Sequence, residues 1–307
     1  MDGISPAWPA GSTSHKLTTA EGLVVQLAVL GAGDEVVVCL HGLGGSALNF
    51  GMIAPMLAAD RRVVLPDLLG HGRSGSPAPG EGSVEAQLRM VAEVISHEAA
   101  DRPVVLIGHS MGGILAQLHA LRAPRTVSRL VLLDPPVPNV TRWRRDPRLT
   151  AKLVLLRSPG LGALVARKLA RMTPEELVDQ QLANATPHTE RISRVAIEAT
   201  VAETRERVET GLAEDGQRAQ WDAILEIVAL LAGPTAWRER LANITAPTLW
   251  LHGADDPLVD PTAAAALSAA HPDWTFRTRS GVGHLPQLED PVWTFDQIDT
   301  WLRTLDH

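Results

Sequence analysis

The segment Val104-Val105-Leu106-Ile107-Gly108-His109-Ser110-Met111-Gly112-Gly113 restricts the possible folds more than any other part of the chain. Its first four residues are apolar and three of them are β-branched, which is the pattern of a strand covered on both faces. Helical spacing begins at once and runs from Met111 to Arg122. A strand that passes straight into a helix through Gly-x-Ser-x-Gly must bend sharply. Gly108 and Gly112 fit that bend because larger side chains would collide across it. The bend strains the backbone of Ser110, lifts its hydroxyl out of the sheet and sets it at a helix N-terminus. Free amides and the helix dipole favour developing negative charge there.

The rest of the chain supplies the sheet this strand needs. Leu23 to Leu30, Val36 to Leu40, Arg62 to Leu65 and Leu130 to Leu133 read as strands. Ser46 to Ala59 reads as a helix, as does Ser83 to Ala100, where Ser83 is a cap and Val84, Leu88, Val91 and Ile95 share one face. From Pro135 to about Leu241 the strand pattern stops. Leu161 to Ala170, Glu175 to Ala183, Ile192 to Thr210 and Trp221 to Leu231 are helical stretches. Alternation resumes with strands Thr248 to Leu251 and Thr275 to Thr278 and helices Pro261 to Ala270 and Pro291 to Leu305. The expected class is α/β: a mostly parallel sheet with helices on both faces and an inserted helical cap. The core takes residues 1–134 and 241–307, and the cap takes 135–240. Open sheets of this kind carry their sites at the carboxyl ends of the strands, so a cap inserted there encloses the site.

Composition narrows the chemistry. A net charge of -7 over 307 residues gives no electrostatic footprint for nucleic acid or an anionic membrane. The short run Arg142-Trp143-Arg144-Arg145 reads as a solvated helix face. No apolar run reaches the ~18 residues of a membrane span. Met1 to Ala20 lacks a basic start and an apolar core, so a cytoplasmic location is expected. The single cysteine, Cys39, lies in an apolar strand and reads as a buried inert thiol, which leaves no disulfide and no Cys-rich metal site. No signal for an oligomeric state is present.

A serine hydroxyl needs a base to take its proton. Ser280-Gly281-Val282-Gly283-His284-Leu285-Pro286 follows the last strand and offers His284. The base in turn needs an acid to hold its tautomer. Trp250-Leu251-His252-Gly253-Ala254-Asp255-Asp256-Pro257 offers two adjacent acids beyond a strand, and Asp134 follows the strand before it. The order Ser, Asp, His suits a nucleophile on such an elbow.

These segments resemble the α/β-hydrolase superfamily, nearest to its capped esterase, C–C hydrolase and haloperoxidase-like members. The resemblance covers the chain outside Pro135 to Leu241. It implies a serine hydrolase with Ser110 as nucleophile, His284 as base and Asp256 as acid, since the family acid falls in Gly-x-x-Asp after a strand. It also implies that His41-Gly42-Leu43-Gly44-Gly45 supplies the Leu43 backbone N–H, which joins that of Met111 in an oxyanion hole. Asp67-Leu68-Leu69-Gly70-His71-Gly72-Arg73-Ser74 is similar to a further family loop, structural rather than catalytic, in which Asp67 pairs with Arg73 and His71 lies near the rim. His41 and His109 read as bracing residues. The elbow residue Ser110 is not the aspartate of epoxide hydrolases and dehalogenases, and the chain has no tyrosine to polarise an epoxide.

Two other readings compete. Gly42-x-Gly44-x-x-Ala47 with Asp67 mimics a dinucleotide fingerprint of an oxidoreductase, but leaves Ser110, Asp256 and His284 unexplained. A C–C hydrolase, lyase or cyclase would keep the same fold. The apolar runs Leu153 to Leu156 and Ile224 to Leu231 suggest a hydrophobic cap lining, with Trp143, Trp221 and Trp237 as substrate contacts or as the cap's own core. The expected substrate is a small apolar ester, thioester or lactone, with no metal or organic cofactor implied.

Overall fold

The computed structural model describes residues 9, 11–78, 83–100, 102–138 and 171–305. Eight strands form one sheet: β1 (Thr13–Thr18), β2 (Val24–Leu30), β3 (Val36–Leu40), β4 (Arg62–Pro66), β5 (Val104–His109), β6 (Val127–Leu133), β7 (Thr248–Gly253) and β8 (Trp274–Arg279), in the order β1-β2-β4-β3-β5-β6-β7-β8. β1 and β2 are antiparallel to their neighbours, and every pair from β4 to β8 along that order is parallel. The register Val38–Leu106–Leu130 runs across the middle of the sheet. It brings the carboxyl ends of β3, β5, β6, β7 and β8 to one edge, and the loops that follow them carry all the candidate chemistry.

The strands alternate between two cores. Val36, Val38, Leu40 and Leu106 face one, with α2 (Val84–Ala99), α3 (Met111–Arg122) and α8 (Pro261–Ser268). Val37, Cys39, Val105 and Ile107 face the other, with Phe50, α1 (Ala54–Leu57) and α10 (Pro291–Thr304). Burial pushes the Cys39 thiol up, so it stays protonated. Ser83 caps α2 by accepting the Ala86 N–H at 3.2 Å.

Two elements depart from the sequence reading. β1 is not among the strands read from the sequence; it is a mostly polar edge strand with exposed or half-buried positions throughout. The helix expected over Ser46 to Ala59 is a 3-10 turn, Ala47–Phe50, followed by the single turn α1. Pro55 cannot donate to a preceding turn, which keeps the two apart.

Between β6 and β7 lie α4 (Pro174–Ala185), α5 (Arg194–Glu209), α6 (Leu212–Leu231) and α7 (Pro234–Leu241). α6 starts earlier than its apolar spacing indicated. The boundary expected at 240 falls inside α7, whose Trp237 and Leu241 are buried in the main core beside α3. Trp143, the basic run Arg142 to Arg145, Leu153 to Leu156 and Leu161 to Ala170 lie outside the described residues. Among the described residues no helix is long and apolar enough to cross a membrane.

Charged groups seat α5 on the loop after β4. The Arg73 guanidinium meets Glu206, with Nη2 2.6 Å from Oε2, and its Nη1 lies 3.5 Å from Glu203. The Asp67 charge acts on the same guanidinium, as expected, alongside these two glutamates. Asp67 accepts the backbone N–H groups of Ala47 and Arg73, each at 2.8 Å, and so holds the loop itself. Arg207 donates to the carbonyls of Gly70, Gly72 and Leu212. His71 is buried rather than at the rim; its Nδ1–H donates to Leu69 O at 3.0 Å, and burial pushes its pKa down to about 4.

Two predictions follow from this packing. Trp237 is 1% exposed, so Trp237→Ala is expected to destabilise the protein by about 3–5 kcal/mol. Denaturant unfolding reads this, and a loss under about 1 kcal/mol would place Trp237 outside the core. The second concerns Glu203, which faces Asp67, Ser46, Arg73 and Arg207; burial, then the Asp67 charge, pushes its carboxyl up to about 7. A carboxyl raised on folding contributes stability below its unfolded value of about 4.3, and this is lost as pH rises through about 7. Glu203→Gln removes that titration. Its stability relative to the parent should therefore improve from pH 5 to pH 8, and a difference that does not change with pH would contradict it.

Candidate active site

β5 ends directly in the elbow. Ser110 has φ 50 and ψ -118, a conformation L-residues rarely adopt. Its N–H donates to Leu133 O at 2.9 Å, which ties the bend to β6. The glycines on either side permit close approach. A Cβ on Gly108 would lie 2.3 Å from Gly112 O, and one on Gly112 would lie 2.1 Å from Leu40 O. Neither position has room for any other residue.

The Ser110 hydroxyl lies 2.9 Å from His284 Nε2, and His284 Nδ1 lies 2.7 Å from Asp256 Oδ2. Nδ1–H donates to the carboxylate, which leaves Nε2 to accept the serine proton. The other Asp256 oxygen accepts the N–H groups of Leu258 at 2.7 Å and Val259 at 2.9 Å. Burial opposes ionisation of Asp256. The His284 charge and hydrogen bond, with the Val259 amide, outweigh it and hold the carboxyl below its usual range. Ser110, His284 and Asp256 follow the ends of β5, β8 and β7 and are brought together there.

The other two acids are placed differently. Asp255 points away and meets His188 Nε2 at 2.8 Å. Asp134 is fully buried at φ 46, and its Oδ1 accepts the Gly253 N–H at 2.8 Å. Burial, then the neighbouring Asp256 charge, pushes the Asp134 carboxyl well up, opposite in direction to Asp256.

The loop after β3 reaches the same place. A Cβ on Gly42 would lie 2.8 Å from His109 Nδ1 and 3.1 Å from Ser110 Cβ. The Gly45 N–H donates to Gly42 O at 3.1 Å across a turn that holds Leu43 and a positive-φ Gly44. Met111 opens α3, so its N–H has no partner within the helix. Gln181 of α4 donates to Gly44 O at 3.0 Å, which brings an inserted helix onto this turn.

Four buried histidines surround the relay. His41 accepts the Leu68 N–H at 2.9 Å, and burial holds its pKa well down. Burial pushes His109 down to about 3, and its Nε2–H donates to His284 O at 2.8 Å. Burial likewise pushes His252 down to about 4; its Nδ1 accepts the Trp250 indole N–H at 3.3 Å, and its Nε2 lies 3.6 Å from Asp256 Oδ2. With His71 at about 4, all four are neutral near pH 7.

Of the three tryptophans offered as substrate contacts, Trp221 sits half-buried on α6, Trp237 is in the core, and Trp143 lies outside the described residues. Sequence reasoning passed over Thr186, His252, Glu203 and Glu289, which have no motif spacing to mark them. Among the described residues, two groups gather enough His and carboxylate atoms for a metal: Asp134, Asp256 and His284, and separately His15, His97 and Glu98. In the second, Glu98 already accepts from both imidazoles and from Arg62.

The family model for the alpha/beta hydrolase fold matches residues 35–291. The sn-1-specific diacylglycerol lipase ABHD11 of Mus musculus is 29% identical over 271 residues, which cover 87% of this chain and 80% of the relative. A 2-hydroxy-6-oxononadienedioate/2-hydroxy-6-oxononatrienedioate hydrolase of Cupriavidus pinatubonensis is 30% identical over 269 residues, covering 84% of this chain and 83% of the relative. The structure of a thermophilic esterase from Thermogutta terrifontis shares the fold, with a TM-score of 0.72, 24% identity, and coverage of 95% of this chain and 98% of that one. A serine elbow on a mostly parallel eight-stranded sheet, matched by that family model along most of its length, makes this chain a member of the α/β-hydrolase family.

Proposed function

We propose that the protein is a serine hydrolase that cleaves a small apolar ester, thioester or lactone through an acyl-enzyme. The observation that carries this reading is the continuous relay of 2.9 Å and 2.7 Å contacts from Ser110 through His284 to Asp256. In this mechanism His284 Nε2 takes the hydroxyl proton as Ser110 Oγ attacks the carbonyl carbon. Asp256 stabilises the imidazolium that results. The N–H groups of Leu43 and Met111 hold the tetrahedral oxyanion, each worth roughly 3 kcal/mol in the transition state. His284 then gives its proton to the departing alkoxide or thiolate. Water, activated by the same imidazole, attacks the acyl-enzyme and releases the acid and free Ser110. The residues from 135 to 240 act as a cap over the site, with Trp221 as a contact to the acyl or leaving group. The single thiol, Cys39, supports a cytoplasmic setting.

The lipase relative supports ester chemistry, and the C–C hydrolase relative keeps one second reading in play: cleavage next to a ketone by the same residues. p-Nitrophenyl esters of graded chain length distinguish the two, since an esterase turns them over as good substrates. Ser110→Ala is expected to lower kcat at least about 10³-fold without unfolding the protein, and Asp256→Asn about 10⁴-fold, while Asp255→Asn stays within about threefold. Parent-level turnover in Ser110→Ala, or an Asp255 variant as damaged as the Asp256 variant, would overturn the assignment.

A further inference from the structure

Glu289 lies on the single-turn helix α9 (Pro286–Glu289) and is 3% exposed. Both of its oxygens are engaged. Oε1 accepts the Leu285 N–H at 2.9 Å; Oε2 accepts the Gly283 N–H at 2.7 Å and the Thr186 hydroxyl at 2.7 Å. The two amides belong to the residues on either side of His284. The histidine's own N–H donates to Ala185 O at 3.1 Å, and its carbonyl accepts the His109 Nε2–H at 2.8 Å. The backbone that carries the imidazole is therefore held from three directions: by Glu289, by the end of α4, and by the elbow residue His109. A cap for α9 alone would explain the Leu285 bond. It does not explain why the same carboxylate takes Gly283 and reaches across to Thr186, 103 positions away.

We propose that Glu289 is a positioning residue for His284 and that Thr186, just beyond α4, completes the clamp. Seating of the inserted helices and aim of the imidazole then become one event. The fit is close. Thr186 is buried, and a Cβ on Gly283 would lie 2.5 Å from its Oγ1, so only glycine lets the two segments meet. The residue types follow from hydrogen-bond inventory. The two side-chain oxygens of Glu289 accept from three donors, whereas a carboxamide at that position sets an N–H against another N–H. Errors near 1 Å in the placement of a reacting group lower rates by about 10²-fold. The proposal rests on the reading of His284 as general base.

The test uses the full chain and a p-nitrophenyl ester. Glu289→Gln is expected to lower kcat about 100-fold with KM within about twofold, and to slow fluorophosphonate labelling of Ser110 in parallel. Thr186→Val keeps the volume but loses the hydroxyl, and should lower kcat about 10-fold. Thr186→Ser keeps the hydroxyl and should stay within about twofold of the parent, a rescue that packing alone would not produce. Parent-level kcat in folded Glu289→Gln or in Thr186→Val overturns the positioning role, as does equal damage in Thr186→Ser and Thr186→Val. Should Glu289→Gln not fold, the Thr186 pair decides alone. Ser110→Ala run alongside separates the two failures. If it is inactive while the Glu289 and Thr186 variants are unimpaired, only the clamp fails; if it is active, the reading of the site fails as well.

Discussion

The bend at Ser110 is the constraint on which the site depends. A non-glycine residue at φ 50 and ψ -118 costs of order 1–3 kcal/mol, and it persists because its surroundings leave no other path. The Ser110 N–H is held by Leu133 O, and its carbonyl accepts the N–H groups of Gly113 and Ile114 at 2.8 and 3.3 Å, which starts α3. Gly112 lies so close to β3 that only glycine fits between the helix and the strand. Because β5 is the fifth of eight strands, the bend is anchored on an inner strand, paired on both sides. The hydroxyl therefore has a fixed position toward which the loops after β3, β7 and β8 are built.

The electrostatics around that hydroxyl follow from burial. A low-dielectric setting penalises every charge, so the four histidines near the relay are neutral and act as neutral donors and acceptors. Two carboxyls share the same ground, with ligand atoms of Asp134 and Asp256 within 4.8 Å of one another. Both cannot be charged. Asp256 has an imidazole and two backbone amides to support its charge. Asp134 has one amide and an oxygen, Oδ2, with no hydrogen-bond partner. Their environments drive the two pKa values apart, Asp134 up and Asp256 down. Among the three aspartates that spacing left open, this hydrogen-bond supply is what supports the proposal of Asp256 as the acid.

What the sequence made legible was what local pattern dictates. Continuous apolar runs gave β3, β5 and β7, and the glycines at 108 and 112 gave the bend, because each depends only on neighbours along the chain. The edge strand β1 lacked an apolar run because its residues are at least partly exposed. The split of the helix after Ser46 turned on one proline. The sequence leaves Trp237 open between a substrate contact and the cap's own core, since an apolar residue on an amphipathic helix does not reveal what it packs against; it lies in the main core. Glu206, which joins Asp67 as a partner of Arg73, carried no local signal because it lies 133 positions away. Glu289 and Thr186 carried no signal for the same reason.

The contacts of the inserted helices share a logic that no single one of them shows. α5 binds the loop after β4 through Arg73 and Arg207. α4 binds the turn after β3 through Gln181 on Gly44 O, and its end binds the loop after β8 through Ala185 O and Thr186. These attachments fall on the segments that place the proposed oxyanion donor Leu43 and the proposed base His284. An insertion that served only as a roof would need contacts around a rim. Here the contacts are polar and directional, and several are made to backbone groups, which fixes position rather than merely excluding water. The proposed cap and the proposed catalytic residues are thereby coupled, because both hang from the same few hydrogen bonds. A change of sequence in the insertion would then alter rate along with substrate choice, and the two would be separable only at positions that face the pocket without touching these three loops.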